Sequence, residues 1–159
     1  MKRKLLSALL ATAMTMTVVA GTGIAVSADG EAVVSTVMFS DPDTMDPGRA
    51  DDDQKNSIVL ECQETLVRLI DGKLTNAGAE SYETSDDGLV WTFHLRDNKY
   101  SDGTPVVAED YVNSIRRVFD PEVNCHNAGI FYCIAGGEAF NTGSGAKEDV
   151  GAKAIDDKT

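Results

Sequence analysis

Trp91-Thr92-Phe93-His94-Leu95-Arg96, then Ser101-Asp102-Gly103-Thr104-Pro105, then Ala108-Glu109-Asp110, is the stretch that decides how this chain folds. In its first part the side chains alternate, which sends Trp91, Phe93 and Leu95 to one face of a strand and Thr92, His94 and Arg96 to the other. Ser85-Asp86-Asp87-Gly88 is a tight-turn signal and Tyr82-Glu83-Thr84 precedes it, so a β-hairpin is predicted. That placement puts His94 on a solvated face and gives it no catalytic task. After the second turn, Ala108, Tyr111, Val112, Ile115, Val118 and Phe119 share one helical face, Glu109 and Asp110 stand in the first turn, and Pro121 stops the helix.

Upstream, apolar residues at Ile58, Val59, Cys62, Leu66, Leu69 and Ile70 recur at three- and four-residue intervals and predict one helix between Asp51 and Ile70, closed by Asp71-Gly72-Lys73. Asp51, Asp52 and Asp53 suit its positive N-terminal end. Their spacing is not that of a calcium loop. Val33, Val34, Val37, Met38 and Phe39 predict a buried strand that ends at Asp41-Pro42, followed by the turn residues Asp43 to Gly48. Downstream, Gly129, Gly136, Gly137, Gly143, Gly145 and Gly151 interrupt every apolar run, so only Ile134 to Phe140 is expected to form a short helix in a weakly specified tract. Val150 to Ile155 reads as a strand and Asp156-Asp157-Lys158 as a turn, with no partner strand after Thr159. That pattern is expected of a hairpin cut in half, and hence of a fragment.

At the other end, Lys2, Arg3 and Lys4 precede an uncharged, mostly apolar run from Leu5 to Val26 that ends in Val26-Ser27-Ala28. Residues 1–28 are therefore read as a secretory signal peptide cleaved after Ala28, leaving residues 29–159 as the mature part. Thr12, Thr15, Thr17, Gly21 and Gly23 break the run before a membrane span accumulates, and a lipoprotein anchor would need a cysteine well before Cys62. Losing three basic residues and no acidic one moves the formal net charge from −12 to −15. Such a surface repels nucleic acid and keeps a secreted chain soluble. Of 159 residues 42% are hydrophobic and 25% charged, which fits one ordinary globular domain.

Three cysteines in an oxidising compartment cannot all pair. Cys125 and Cys133 are close enough in sequence to staple a short loop, or both stay reduced, and Cys62 is expected on the buried helical face. With only His94 and His126, no cysteine-histidine cluster with zinc spacing exists, so no metal and no cofactor is expected. A secreted hydrolase would need a nucleophile with its base, or paired carboxylates in a cleft. Gly143-Ser144-Gly145 lacks the frame of a nucleophile elbow, and the Asp86-Asp87 and Asp156-Asp157 pairs sit in turns, so no catalytic residue is assigned.

Five segments, in order, resemble the extracytoplasmic solute-binding proteins of bacterial ABC importers that carry peptides, dipeptides and sometimes nickel. They are Asp43-Thr44-Met45-Asp46-Pro47, Glu64-Thr65-Leu66-Val67, Ala79-Glu80-Ser81-Tyr82 with its following turn, the stretch from Trp91 to Asp110, and Asp149 to Thr159. Val107 departs from the family pattern, where a threonine would cap the helix. The resemblance implies an α/β fold: the N-terminal part of the first lobe of a two-lobed periplasmic-binding-protein-like structure, with an incomplete mixed sheet and flanking helices. It also implies that, within a considerably longer protein, the chain captures peptides in the periplasm or at the cell surface and hands them to permease subunits. Backbone groups at Ser40, Asp41 and Pro42 are the ligand contacts it suggests, and the same residues also read as a plain strand-to-turn junction. A nickel-binding or other small-solute member of the family, and a small secreted interaction module, are the competing readings.

Overall fold

In the computed structural model the described residues are 23–26, 32–35 and 41–159. The chain divides into two units, residues 1–41 and 42–159. In the first, β1 (Gly23–Val26) pairs antiparallel with β2 (Ala32–Ser35), in the register Gly23 to Ser35 and Val26 to Ala32. Residues 23–26 belong to the stretch read as a signal peptide. The remainder of that stretch and the Val37 to Phe39 part of the predicted first strand lie outside the described residues.

The second unit begins with a 3-10 turn at Pro47–Arg49, then α1 (Asp53–Cys62). Asp52 caps α1: one carboxylate oxygen accepts the N–H groups of Gln54 and Lys55 at 3.0 and 2.9 Å, satisfying donors that have no partner inside the helix. The predicted helix to Ile70 is therefore too long by two turns. The chain leaves the helix at Gln63, and Arg68 reaches back to the carbonyl oxygens of Leu60 and Gln63, both at 2.9 Å. Val67-Arg68-Leu69-Ile70 instead forms β3 (Val67–Ile70), hairpinned to β4 (Lys73–Asn76). Asp71 and Gly72 make the turn with φ of 50° and 73°, both left-handed. Two such residues match the twist of the flanking strands, which is why Asp-Gly makes a hairpin here rather than a helix cap. The predicted buried stripe is largely exposed as a result, with Leu69 at 73% and Ile70 at 51% exposure.

The predicted hairpin forms. β5 (Ala79–Thr84) pairs antiparallel with β6 (Trp91–Leu95), matching Tyr82 to Phe93 and Thr84 to Trp91, with a bulge between Ala79 and Ser81. Tyr82, Trp91 and Phe93 share a face, their ring centroids 5.8 to 6.5 Å apart. Leu95, at the end of that face, is buried, and His94 on the other is half-exposed, 3.9 Å from Glu83. The second turn also forms: Tyr100 N–H donates to Thr104 C=O at 2.8 Å and Thr104 N–H to the Asp102 carboxylate at 2.8 Å.

α2 (Ala108–Val118) follows as predicted, burying Ala108 and Val112, with Phe119 fully buried at its end. Burying that ring contributes about 2 kcal/mol. Far from being weakly specified, the glycine-rich tract packs around it. A Cβ on Gly137, at the start of α3 (Gly137–Asn141), would press on the Phe119 ring, and one on Gly136 would strike the Asp149 carbonyl. Gly136 also has φ 72°, so two constraints demand glycine there. Tyr132 OH donates to Asn141, whose amide donates in turn to Phe119 C=O.

Val150 to Ile155 is not a strand. Val150 is buried, Ile155 is 71% exposed, and the backbone between them bonds to scattered segments rather than to one partner edge. The architecture is α/β, but among the described residues each sheet is a two-stranded antiparallel hairpin rather than part of a mixed sheet. No helix among them is long and apolar enough to cross a membrane.

Candidate functional site

A cleft of about 620 Å³ is walled by the end of α1, the loop after β6 and the first turns of α2; Gln63, Glu64, Asn98, Tyr100, Asp110 and Tyr111 line it. Its carboxylates are already engaged. Glu64 accepts Arg96 Nη2 at 2.5 Å and Asn98 Nδ2 at 2.6 Å, while Arg96 Nε donates to Ala77 C=O at 2.8 Å. Asp110 accepts Val107 N–H at 2.9 Å. Burial pushes the phenols of Tyr100 and Tyr111 up, aided by the negative charge of Asp110 beside Tyr100 and of Glu64 beside Tyr111. Glu64 and Asp110 are thus tied into the framework, and the two phenols hold their protons more tightly than free tyrosine.

Two further clusters brace the same unit. Arg117 grips Asp46 with both nitrogens, each at 2.6 Å, and Gly48 N–H donates to the same carboxylate at 3.0 Å. These bonds, the Arg117 contacts first, hold the Asp46 carboxyl below the usual range despite partial burial. Lys55 Nζ sits among Asp43, Asp51 and Asp52 at 2.8, 2.7 and 3.3 Å, which raises the affinity of the amine for its proton. A lysine ammonium thus engages Asp51 and Asp52, two of the three successive carboxylates at the start of α1. Among the described residues no group of three His, Cys, Asp or Glu side chains is placed to hold a metal.

Of the residues expected to contact a ligand, Ser40 lies outside the described residues, Asp41 is exposed and Pro42 half-buried. Neither Asp41 nor Pro42 lines the cleft. Cys125 and Cys133 are free thiols rather than a disulfide, and Cys62 is exposed rather than buried. Between Cys125 and Cys133 the backbone folds through a turn and the 3-10 helix Ala128–Phe131, leaving Cys133 in solvent and Cys125 half-buried. Spacing along the chain carried no information about that path.

Four of the five segments that carry the family resemblance meet in this framework, Glu64 with Arg96, Ala79 with Leu95, and Asp157 with Ala108, while the first is joined through Asp46 to Arg117 in the last turn of α2. The family model for bacterial extracellular solute-binding proteins, family 5 Middle, matches residues 73–159. The chain belongs to this family. The oligopeptide-binding protein OppA of Bacillus subtilis is 36% identical over 132 residues, covering 82% of this chain and 24% of its own length. The periplasmic oligopeptide-binding protein OppA of Escherichia coli is 39% identical over 124 residues, covering 76% and 23%. Among solved structures, Listeria monocytogenes OppA bound to peptide superposes with a TM-score of 0.69 at 38% identity over 72% of this chain and 23% of that one. The Escherichia coli murein tripeptide-binding protein MppA does so with a TM-score of 0.70 at 30% identity over 74% and 24%. The chain thus spans about a quarter of the length of the curated relatives it matches and has the fold of part of a periplasmic-binding-protein lobe.

Proposed function

We propose that this family 5 chain forms part of the first lobe of an extracytoplasmic solute-binding component of an ABC importer, which captures peptides without altering them and delivers them to membrane permease subunits. The observation that carries this reading is the match, over 72 to 82% of the chain at 36 to 38% identity, to proteins named for oligopeptide binding, one of them solved with peptide in place. The internal engagement of the acids supports a scaffold role for residues 42–159. Ligand contact then falls to backbone groups at Ser40, Asp41 and Pro42 and to regions that the longer relatives possess. Backbone hydrogen bonding lets one receptor accept many side chains. Residues 1–28 direct export and are removed after Ala28, taking β1 with them.

Calorimetry with a pool of di- to pentapeptides tests this, on residues 29–159 and on the protein extended by any coding sequence that continues past Thr159. Heat from the longer protein, with the peptides recovered intact, supports the proposal. Heat with nickel ions but not peptides assigns the metal-binding branch of the family. Peptide cleavage, or no peptide binding by the longer protein, overturns it.

A further inference from the structure

Helix α2 lacks the usual device at its start. Val107 occupies the N-cap position and has no side-chain oxygen to accept the first free N–H groups. The acceptor for Ala108 N–H comes instead from 49 residues further on, at the carbonyl of Asp157, 2.9 Å away. The next carbonyl, that of Lys158, accepts Leu95 N–H at 2.8 Å on β6. Two successive peptide groups therefore bond to two separate elements.

The segment that supplies them is held along its length. Val150 is buried at one end, and Gly151 N–H donates to Ala135 C=O at 2.7 Å. Arg116, in the last turn of α2, donates to Ala152 C=O at 3.3 Å. At the far end a local turn sets the two carbonyls: Lys158 N–H donates to the Asp156 carboxylate and Ile155 N–H to Thr159 C=O, both at 2.8 Å. Lys158 Nζ also lies 3.1 Å from Asp97.

We propose that Val150–Thr159 is a strap that fastens the start of α2 to the edge of β6, and that the two elements are released together when it lifts. The first turn of α2 carries Asp110 and Tyr111, which line the cleft together with Glu64, so release of the strap would also loosen part of that lining. Its position makes it a conformational joint between hairpin and helix. This inference does not depend on what the cleft or the longer protein binds.

Native-state hydrogen exchange on the unmodified protein tests the joint directly. Leu95 and Ala108 amides, on different elements, should exchange with the same protection and the same urea dependence, because one opening exposes both. Asp156→Ala, which removes the acceptor that shapes the strap's turn, should lower both protections together by about tenfold and leave the β3–β4 amides unchanged. Lys158→Ala, which removes only the exposed ion pair with Asp97, should leave both protected. Different protections for Leu95 and Ala108 in the unmodified protein, or an Asp156→Ala variant in which only one of them changes, would overturn the proposal. The first comparison holds even if the variant fails to fold.

Discussion

Asp46 and Arg117, 71 residues apart, fasten the turn before α1 to the last turn of α2, and their coupling is open to measurement. The contact is two-pronged and charge-assisted, which favours it, but Arg117 is 46% exposed and Asp46 25%, so solvent screening holds the pair to about 1 kcal/mol. Asp46 also accepts Gly48 N–H, worth roughly another 0.5–1 kcal/mol as a cap. Asp46→Ala should thus cost about 1.5–2 kcal/mol, Arg117→Ala about 1, and the double variant little more than Asp46→Ala alone. Urea unfolding at pH 7 and low salt, with unchanged m-values, gives the coupling energy from this cycle. Because Arg117 lowers the Asp46 pKa in the folded state, the stabilisation is present above the ordinary carboxylate range and is lost as pH falls through the folded-state value. The coupling should therefore shrink in acid and in molar salt. A coupling below roughly 0.3 kcal/mol at pH 7, within the scatter of independent sites, would refute the reasoning.

Gly136→Ala meets both a left-handed backbone and the Asp149 carbonyl, and should cost about 2 kcal/mol or more, whereas Gly143→Ala, with φ 77° and open space around it, should cost about 1; equal shifts in the urea midpoint would show that the carbonyl contact is immaterial. Reaction with a thiol reagent should reveal two fast groups, Cys62 and Cys133, a slower Cys125, and three in denaturant, while a single titratable thiol would establish the Cys125–Cys133 bridge. Lys55→Met should flatten the acid limb of the stability profile, chiefly through Asp51, whose pKa the Lys55 ammonium holds below the usual range so that its stabilisation disappears as pH falls through the folded-state value; Asp52 should change less, because its leading bond, from the backbone N–H of Lys55, survives. An acid limb as steep as in the unaltered protein would remove Lys55 from that role.

The β5–β6 hairpin, the turn at Ser101–Thr104 and α2 were legible from the chain because each is specified by residues within a dozen positions: strict alternation, turn chemistry, a 3.6-residue apolar stripe. The stretch from Asp51 to Ile70 misled for the same local reason. Its three- and four-residue apolar spacing continues smoothly across Cys62, and only the pairing of Val67–Ile70 with Lys73–Asn76 shows that Asp71-Gly72 is a hairpin turn. In the glycine tract the informative quantity was not propensity but proximity, since Gly136 and Gly137 are required by what lies against them. The candidate ligand residues at 40–42 rested on resemblance, and the cleft beside Glu64 had no signature of its own, although Glu64, Asn98, Tyr100 and Asp110 stood in the segments that carried the resemblance.

From the order of residues alone came the family, the predicted export signal, the acidic surface and every element whose hydrogen bonds close within one turn or one hairpin. Folding added the partners: Asp46 with Arg117, Glu64 with Arg96, and the carbonyls of Asp157 and Lys158 with α2 and β6. The division follows from range. Backbone geometry and side-chain period act over a few residues and leave a readable pattern, whereas a carboxylate or a carbonyl accepts any donor that the completed fold brings within 3 Å and leaves no trace in sequence of which one that is.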